Sequence, residues 1–256
     1  MKRFLIAAAA ALMGGVPALA ADLYVDPAPP PVPAFGGWYL RGDIGMTNQR
    51  LGGMQHELFD DVDFREFVDD GSFDSGPLGA LGVGYQFNQW LRGDAIVQYR
   101  GKTDFSALDR YGHTDATGTA VWDATNDYDG AKSEWLLMAN AYVDIGTWEG
   151  ITPYVGAGIG ASRNTISRFR DVNVPTLGVA YGDSDSTWNF AWALHAGIGY
   201  QVTDRLTVDF GYSYVDLGDA KSGRLRSYDD TVNTGPMHFN NITSHDFKLG
   251  LRYSLQ

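Results

Sequence analysis

The chain has 256 residues, a formal net charge of -12 and no cysteine. The length suits one domain with an ordinary core, or one barrel. The acidic balance argues against a nucleic-acid binder, and the missing thiols exclude a disulfide scaffold, a thiolate metal site and a Cys nucleophile.

Lys2 and Arg3 precede an apolar run from Phe4 to Met13, and Ala18-Leu19-Ala20 supplies a small-x-small cleavage site. This pattern predicts a secretory signal peptide over 1–20. Its apolar run is shorter than the ~20 residues a spanning helix needs. Within 21–35, Asp26-Pro27-Ala28-Pro29-Pro30-Pro31-Val32-Pro33 reads as an extended tether, a spacer in preference to a ligand for a periplasmic partner.

From 36 to 256 the chain alternates apolar-periodic runs with polar stretches. Alternate residues of a strand point to opposite faces, so a period of two separates an apolar face from a polar one. Trp38 to Thr47 sets Trp38, Leu40, Ile44 and Met46 against Tyr39, Arg41, Asp43 and Thr47. Leu78 to Phe87 aligns Leu81, Val83, Tyr85 and Phe87. Leu91 to Arg100 sets Leu91, Ala95, Val97 and Tyr99 against Arg92, Asp94, Gln98 and Arg100. Glu134 to Ile145 sets Trp135, Leu137, Ala139, Ala141, Val143 and Ile145 against Glu134, Asn140, Tyr142 and Asp144. In Ile151 to Ala161, Val155, Ala157 and Ile159 share a face, and Tyr154 fits either side. Trp188 to Gln201 opposes Trp188, Phe190, Trp192, Leu194, Ala196, Ile198 and Tyr200 to Asn189, His195 and Gln201. Leu206 to Val215 opposes Leu206, Val208, Phe210, Tyr212 and Tyr214 to Thr207, Asp209 and Ser213. His245 to Gln256 opposes Phe247, Leu249, Leu251, Tyr253 and Leu255 to Asp246, Lys248, Gly250, Arg252 and Ser254.

The connections alternate strictly. Asn88–Trp90, Gly146–Gly150 and Val202–Arg205 are short, whereas Asn48–Gly76, Gly101–Ser133, Arg163–Thr187 and Gly218–Ile242 are long and read as loops. A transmembrane barrel has this asymmetry, with short periplasmic turns and long outer loops. A soluble sandwich gives no reason for it. Turned inward, the large apolar faces would overfill an eight-stranded interior. Turned outward they meet lipid, and the closed ring leaves no unpaired edge. The reading is an all-β, eight-stranded antiparallel transmembrane barrel.

The start Ala21-Asp22-Leu23, the Pro-rich stretch and Gly37-Trp38-Tyr39-Leu40-Arg41-Gly42-Asp43 resemble the Omp25/Omp31-type outer-membrane proteins of alphaproteobacteria, within the opacity-protein and OmpA-like barrel superfamily. Thr152-Pro153-Tyr154-Val155-Gly156-Ala157-Gly158-Ile159-Gly160 and Ala196-Gly197-Ile198-Gly199-Tyr200 resemble its Gly-rich strands. The resemblance covers the whole chain and implies the outer membrane of a Gram-negative cell. It also implies an assembly signal for the barrel-assembly machinery in Lys248, Gly250, Tyr253 and Leu255, with Gln256 added where most such chains stop on an aromatic residue.

The candidate lumen residues are Arg41, Asp43, Arg92, Asp94, Arg100, Glu134, Asp144, His195, Asp209, Asp246, Lys248 and Arg252. Both signs are mixed. A low-dielectric interior makes an unpaired charge costly, so the set reads as a self-satisfying plug in preference to an ion path. A lipid-modifying enzyme of this shape would need a Ser–His pair on its outer wall. His56, His113, His238 and His245 fall in predicted loops or at a strand start, and Ser244, His245 and Asp246 cannot share a face without a bulge. No rim Asp–His pair of the protease kind is expected.

The first long connection carries Glu57, Asp60, Asp61, Asp63, Glu66, Asp69, Asp70 and Asp74, read as a solvated loop in preference to a divalent-cation site, because the spacing does not match an EF-hand. Arg163, Arg168 and Arg170 are candidates for lipopolysaccharide phosphates. No cofactor, metal or catalytic residue is assigned. The expected partners are outer-membrane lipids, lipopolysaccharide, the assembly machinery and a host or surface ligand. The expected role is a structural surface protein, with a small channel, an adhesin and a lipid A-modifying enzyme as alternatives.

Overall fold

The computed structural model describes residues 36–255 apart from 230 and 232. The readings of a signal peptide, a tether and an added Gln256 fall outside the described residues. The elements are β1 (Gly37–Arg50), β2 (Gly53–Gln55), a short 3-10 helix (Glu57–Asp61), β3 (Phe64–Phe73), β4 (Gly76–Gln86), β5 (Leu91–Thr114), β6 (Ala120–Asp144), β7 (Ile151–Asn173), β8 (Gly178–Gly182), β9 (Asp185–Gln201), β10 (Leu206–Ser227) and β11 (Asn233–Ser254).

The ring runs β1-β4-β5-β6-β7-β9-β10-β11 and closes where β1 pairs with β11, from Tyr39 opposite Ser254 to Arg50 opposite Thr243. Every pairing is antiparallel. Closure satisfies the backbone groups that lipid cannot.

Local chemistry sets the short turns. Asn88 Oδ1 accepts from the Trp90 and Leu91 amides at 2.9 and 2.8 Å, and Thr203 Oγ1 accepts from Leu206 N at 3.0 Å. Between β6 and β7, Trp148 and Ile151 exchange two backbone bonds of 2.9 Å around Glu149 (φ 50°) and Gly150 (φ 82°). Positive φ at both central residues is the tight hairpin geometry that follows strand twist, and Gly150 adopts it without a Cβ penalty.

The long connections are not loops. Their greater part is strand: β5 and β6 run to Thr114 and from Ala120, and β2, β3 and β8 lie inside stretches read as irregular. The molecule has two storeys with opposite polarity. In the membrane storey, near the short turns, apolar residues such as Ile44, Leu81, Leu137, Phe190 and Phe247 face out and charged ones face in. In the outer storey Phe73, Phe105, Phe169, Met237 and Phe239 are buried inside, while Asp104, Arg168 and Arg170 face water.

Bulges make the exchange. In β5 the inward set shifts from Arg92, Asp94, Gln98 and Arg100 to Thr103, Phe105, Ala107 and Asp109, across a register break between Arg100 and Thr103. In β7 the break comes at Arg168 (φ 56°), in β10 at Gly218 (φ 68°) and in β11 at Asn241 (φ 53°). One inserted residue turns every later side chain to the opposite face. A search for apolar residues facing outward therefore stops at the membrane boundary, which is why the strands look shorter in the sequence.

Candidate functional site

The lumen of the membrane storey is built from inward residues spaced two apart, which share a face. Arg41 bonds Asp43 Oδ2 through Nε and Asp94 Oδ2 through Nη1, both at 2.8 Å, and Nη1 also reaches the Tyr142 hydroxyl at 2.8 Å. Asn140 donates to the other Asp94 oxygen at 2.8 Å. His195 sits on this chain of contacts, with Nε2 3.1 Å from Asn140 Oδ1 and Nδ1 2.7 Å from Ser213 Oγ. Nearer the turns, Arg92 Nε meets Asp144 Oδ1 at 3.0 Å, and its guanidinium lies over the Tyr142 and Tyr154 rings, 4.2 and 4.5 Å from their centroids. Tyr154, ambiguous in the sequence, is buried inside. Arg252 Nε meets Asp209 Oδ2 at 2.6 Å.

At the top of this storey Arg100 bonds Glu134 Oε1 and Asp246 Oδ2, both at 2.6 Å, and Ser244 Oγ at 3.0 Å. Lys132 bonds the other Glu134 oxygen, and Gln49 Oε1 at 2.8 Å. Lys248 is buried beside these groups, between the Arg41 and Arg100 guanidiniums and the Asp43 and Asp246 carboxylates, and among the described residues it is the lumen cation that forms no ion pair. The twelve candidate lumen residues thus all project inward. Paired charges with further hydrogen bonds are the arrangement that a low-dielectric interior tolerates.

The sequence reading missed a second, apolar layer. Above the charges, Phe239 packs on Phe73, Phe105 and Phe169 with ring centroids 6.2, 5.1 and 5.8 Å apart, and Leu217, Leu225, Met237 and Ile242 fill the space around them. The Met237/Phe239 and Phe105/Ala107 pairs, each two residues apart, are the signal that betrays an inward face.

The remaining candidates scatter. Tyr253 and Leu255 face outward at the turn end, and Gly250 faces inward below Lys248. Arg168 pairs with Asp104 at 2.8 Å and Arg170 with Asp129, both on the outer flank. Arg163 is exposed between Trp135 and Trp188 in the cross-strand register. The acidic connection is largely ordered. Glu66 pairs with Arg110, Asp63 accepts from Thr114 N at 2.6 Å, and Asp69 accepts from Gly71 N at 3.1 Å. Among the described residues no group of three or more His, Asp or Glu is placed to hold a metal ion.

Two histidine expectations need correction. A rim Asp–His pair does exist: His113 Nδ1 lies 2.8 Å from Asp123 Oδ1 at the outer end of β5 and β6, held there because the hairpin strands pair up to Thr114 and Ala120. Both side chains are exposed, and Asp123 holds the imidazole pKa above its ordinary value through the hydrogen bond. His245 is not at a strand start, because β11 begins twelve residues earlier, at Asn233. It faces outward, with Nδ1 2.7 Å from the Tyr212 hydroxyl, while Ser244 and Asp246 turn inward to Arg100.

At the outer edge of the upper storey, Asp109 binds Arg65 and accepts from the Tyr128 hydroxyl at 2.9 Å. Asp171 lies beside this group. Burial, and then the Asp109 charge, push its carboxyl up to about 7. Burial lowers the pKa of His56, which caps the 3-10 helix by accepting from Leu58 N at 3.3 Å.

Comparison with known proteins adds four findings. A Brucella suis protein without an assigned function is 34% identical over 270 residues, covering 93% of this chain and 93% of its own. A Rickettsia bellii protein whose name marks it provisionally as an adhesin is 26% identical, over 85% of this chain and 88% of its own. The crystal structure of the Escherichia coli outer membrane protease OmpT shares the fold, with a TM-score of 0.51 at 10% identity, over 88% of this chain and 98% of that one. The family model described as the outer membrane protein beta-barrel domain matches residues 6–254. With its closed ring, its outward apolar belt and that match, the chain belongs to the outer membrane protein beta-barrel domain family and resides in the outer membrane of a Gram-negative bacterium.

Proposed function

We propose that this barrel is a sealed, non-catalytic surface protein that braces the outer membrane and displays its outer storey away from the cell. The observation that carries the reading is the double closure of the axis, by ion pairs from Arg41 to Arg252 and by the aromatic plug around Phe239. Packed side chains at both levels support this reading over the small-channel alternative. The lipid-modifying alternative is disfavoured by His245, whose outward neighbour is Tyr212 and not a serine.

Export by a cleaved signal peptide over 1–20, insertion by the barrel-assembly machinery through the C-terminal strand, and contact of Arg163 with lipopolysaccharide phosphates belong to the same proposal. The test is single-channel recording in planar bilayers. The sealed reading expects a flat baseline, and reproducible conductance steps overturn it.

A second reading is an adhesin. The outer storey of paired strands favours it, because a rigid platform loses less entropy on binding than a mobile loop. Removal of β3 and the 3-10 helix, followed by cell-binding measurements, separates display with a ligand from display alone.

A further inference from the structure

In the outer storey β5, β6, β7, β8, β10 and the lower part of the outer half of β11 have strand neighbours on both sides. Among the described residues β3 pairs only with β5, and β2 only with β11. The ring is therefore open between β2 and β3. The 3-10 helix Glu57–Asp61 crosses from one to the other, and Phe59 turns inward beneath it against Phe67, ring centroids 5.9 Å apart, and against the Arg65 guanidinium at 3.8 Å. The floor of the opening is thus filled, while among the described residues the far edge of β3 has no strand beside it.

An unpaired strand edge is a template for another strand. Bulges between Phe67 and Ser72, with Gly71 at φ 83°, twist the inner part of β3 away and leave Phe64–Phe67 as its regular stretch. Asp60, Asp61, Asp69 and Asp70 are exposed around this stretch, together with Leu58 and Val68, 41% and 59% exposed. Acidic residues on an edge guard against pairing with like chains. A second copy of this chain, with a formal net charge of -12, would bring acid against acid. The same field attracts a basic chain.

We propose that the open edge of β3 captures an extended, Lys- or Arg-rich segment of a partner protein by strand addition. Main-chain bonds along Phe64–Phe67 would hold it, the surrounding aspartates would select its charge, and Leu58 and Val68 would cover its apolar side chains. The inference rests on the reading that the outer storey faces away from the cell.

The test uses the full barrel refolded in detergent micelles. One labelled probe is a peptide of alternating Lys and Val; the other keeps its lysines but has Pro at every second Val, which forbids pairing. The expected result is saturable binding of the first, at least about tenfold weaker binding of the second, and a similar loss for the first in an Asp60→Asn, Asp61→Asn, Asp69→Asn, Asp70→Asn variant. Hydrogen exchange should slow at the Phe64–Phe67 amides when the peptide is bound. Equal binding of both probes, no binding of either, or protection elsewhere overturns the proposal. Protease accessibility of β3 on intact cells tests the orientation separately, so the two readings fail in different experiments.

Discussion

Arg100 reaches across the lumen from β5 to Asp246 on β11, Nη2 to Oδ2 at 2.6 Å, with both side chains fully buried. Its other nitrogen holds Glu134, so one cation neutralises carboxylates from two further strands. Removing it leaves both acids without that partner in a dry interior. Arg100→Met should cost about 3–5 kcal/mol in urea unfolding followed by tryptophan fluorescence. Glu134 keeps Lys132 as a partner, so removing Asp246 as well, with Asp246→Leu in the same chain, should recover a large part of that loss. A double variant as weak as the single one would show that packing, not charge, is what Arg100 supplies.

Phe239 is the centre of the outer plug, in contact with three other phenylalanines. Phe239→Ala should cost about 3–5 kcal/mol through lost burial and the cavity left behind. The damage should concentrate in the outer storey. Hydrogen exchange at the Phe105 and Phe169 amides should accelerate, while the amides of Ile96 and Met138 should not change.

Asp171 gives the outer storey a pH dependence of defined sign. Its folded pKa of about 7 lies above the ordinary carboxylate value, because burial and Asp109 oppose its ionisation. Between about pH 4 and 7 the unfolded chain loses this proton while the folded one keeps it. Stability should fall as pH rises through that window and level off above it. In Asp171→Asn this component of the slope should vanish, measured as melting temperature against pH.

His113 and His56 should titrate with shifts of opposite sign. Asp123 raises His113, so the favourable interaction is fully present below the unfolded pKa and is lost as pH rises through the folded one. Burial lowers His56, so the fold loses stability as pH falls from the unfolded value through the folded one. Imidazole NMR titrations read both midpoints. Asp123→Asn should bring the His113 midpoint down and leave that of His56 in place.

The membrane storey was legible in the sequence because lipid enforces one rule along a whole strand: Phe247, Leu249 and Leu251 face out, Asp246 and Lys248 face in. The individual ion pairs were not legible, because a set of inward charges does not say that Arg100 chooses Asp246 three strands away around the ring. The outer storey was hidden for a different reason. Arg168, Gly218 and Asn241 each bend the backbone to positive φ and flip the faces. Beyond them the outward residues are polar, as they are in loops. Phe105, Phe169 and Phe239 are distant in sequence, and nothing local says that they meet.

The inward charges and the outward apolar belt are two sides of one strand orientation in the membrane storey. Trp188 and Phe190 are 59% and 67% exposed on the flank of β9. A variant keeping Trp188 as its sole tryptophan, refolded into vesicles of brominated lipid, tests this most directly. Strong quenching of Trp188 by the brominated chains, with little effect from aqueous iodide, is the predicted result. Quenching by iodide and none by the lipid would contradict the orientation from which the sealed lumen and the displayed outer storey both follow.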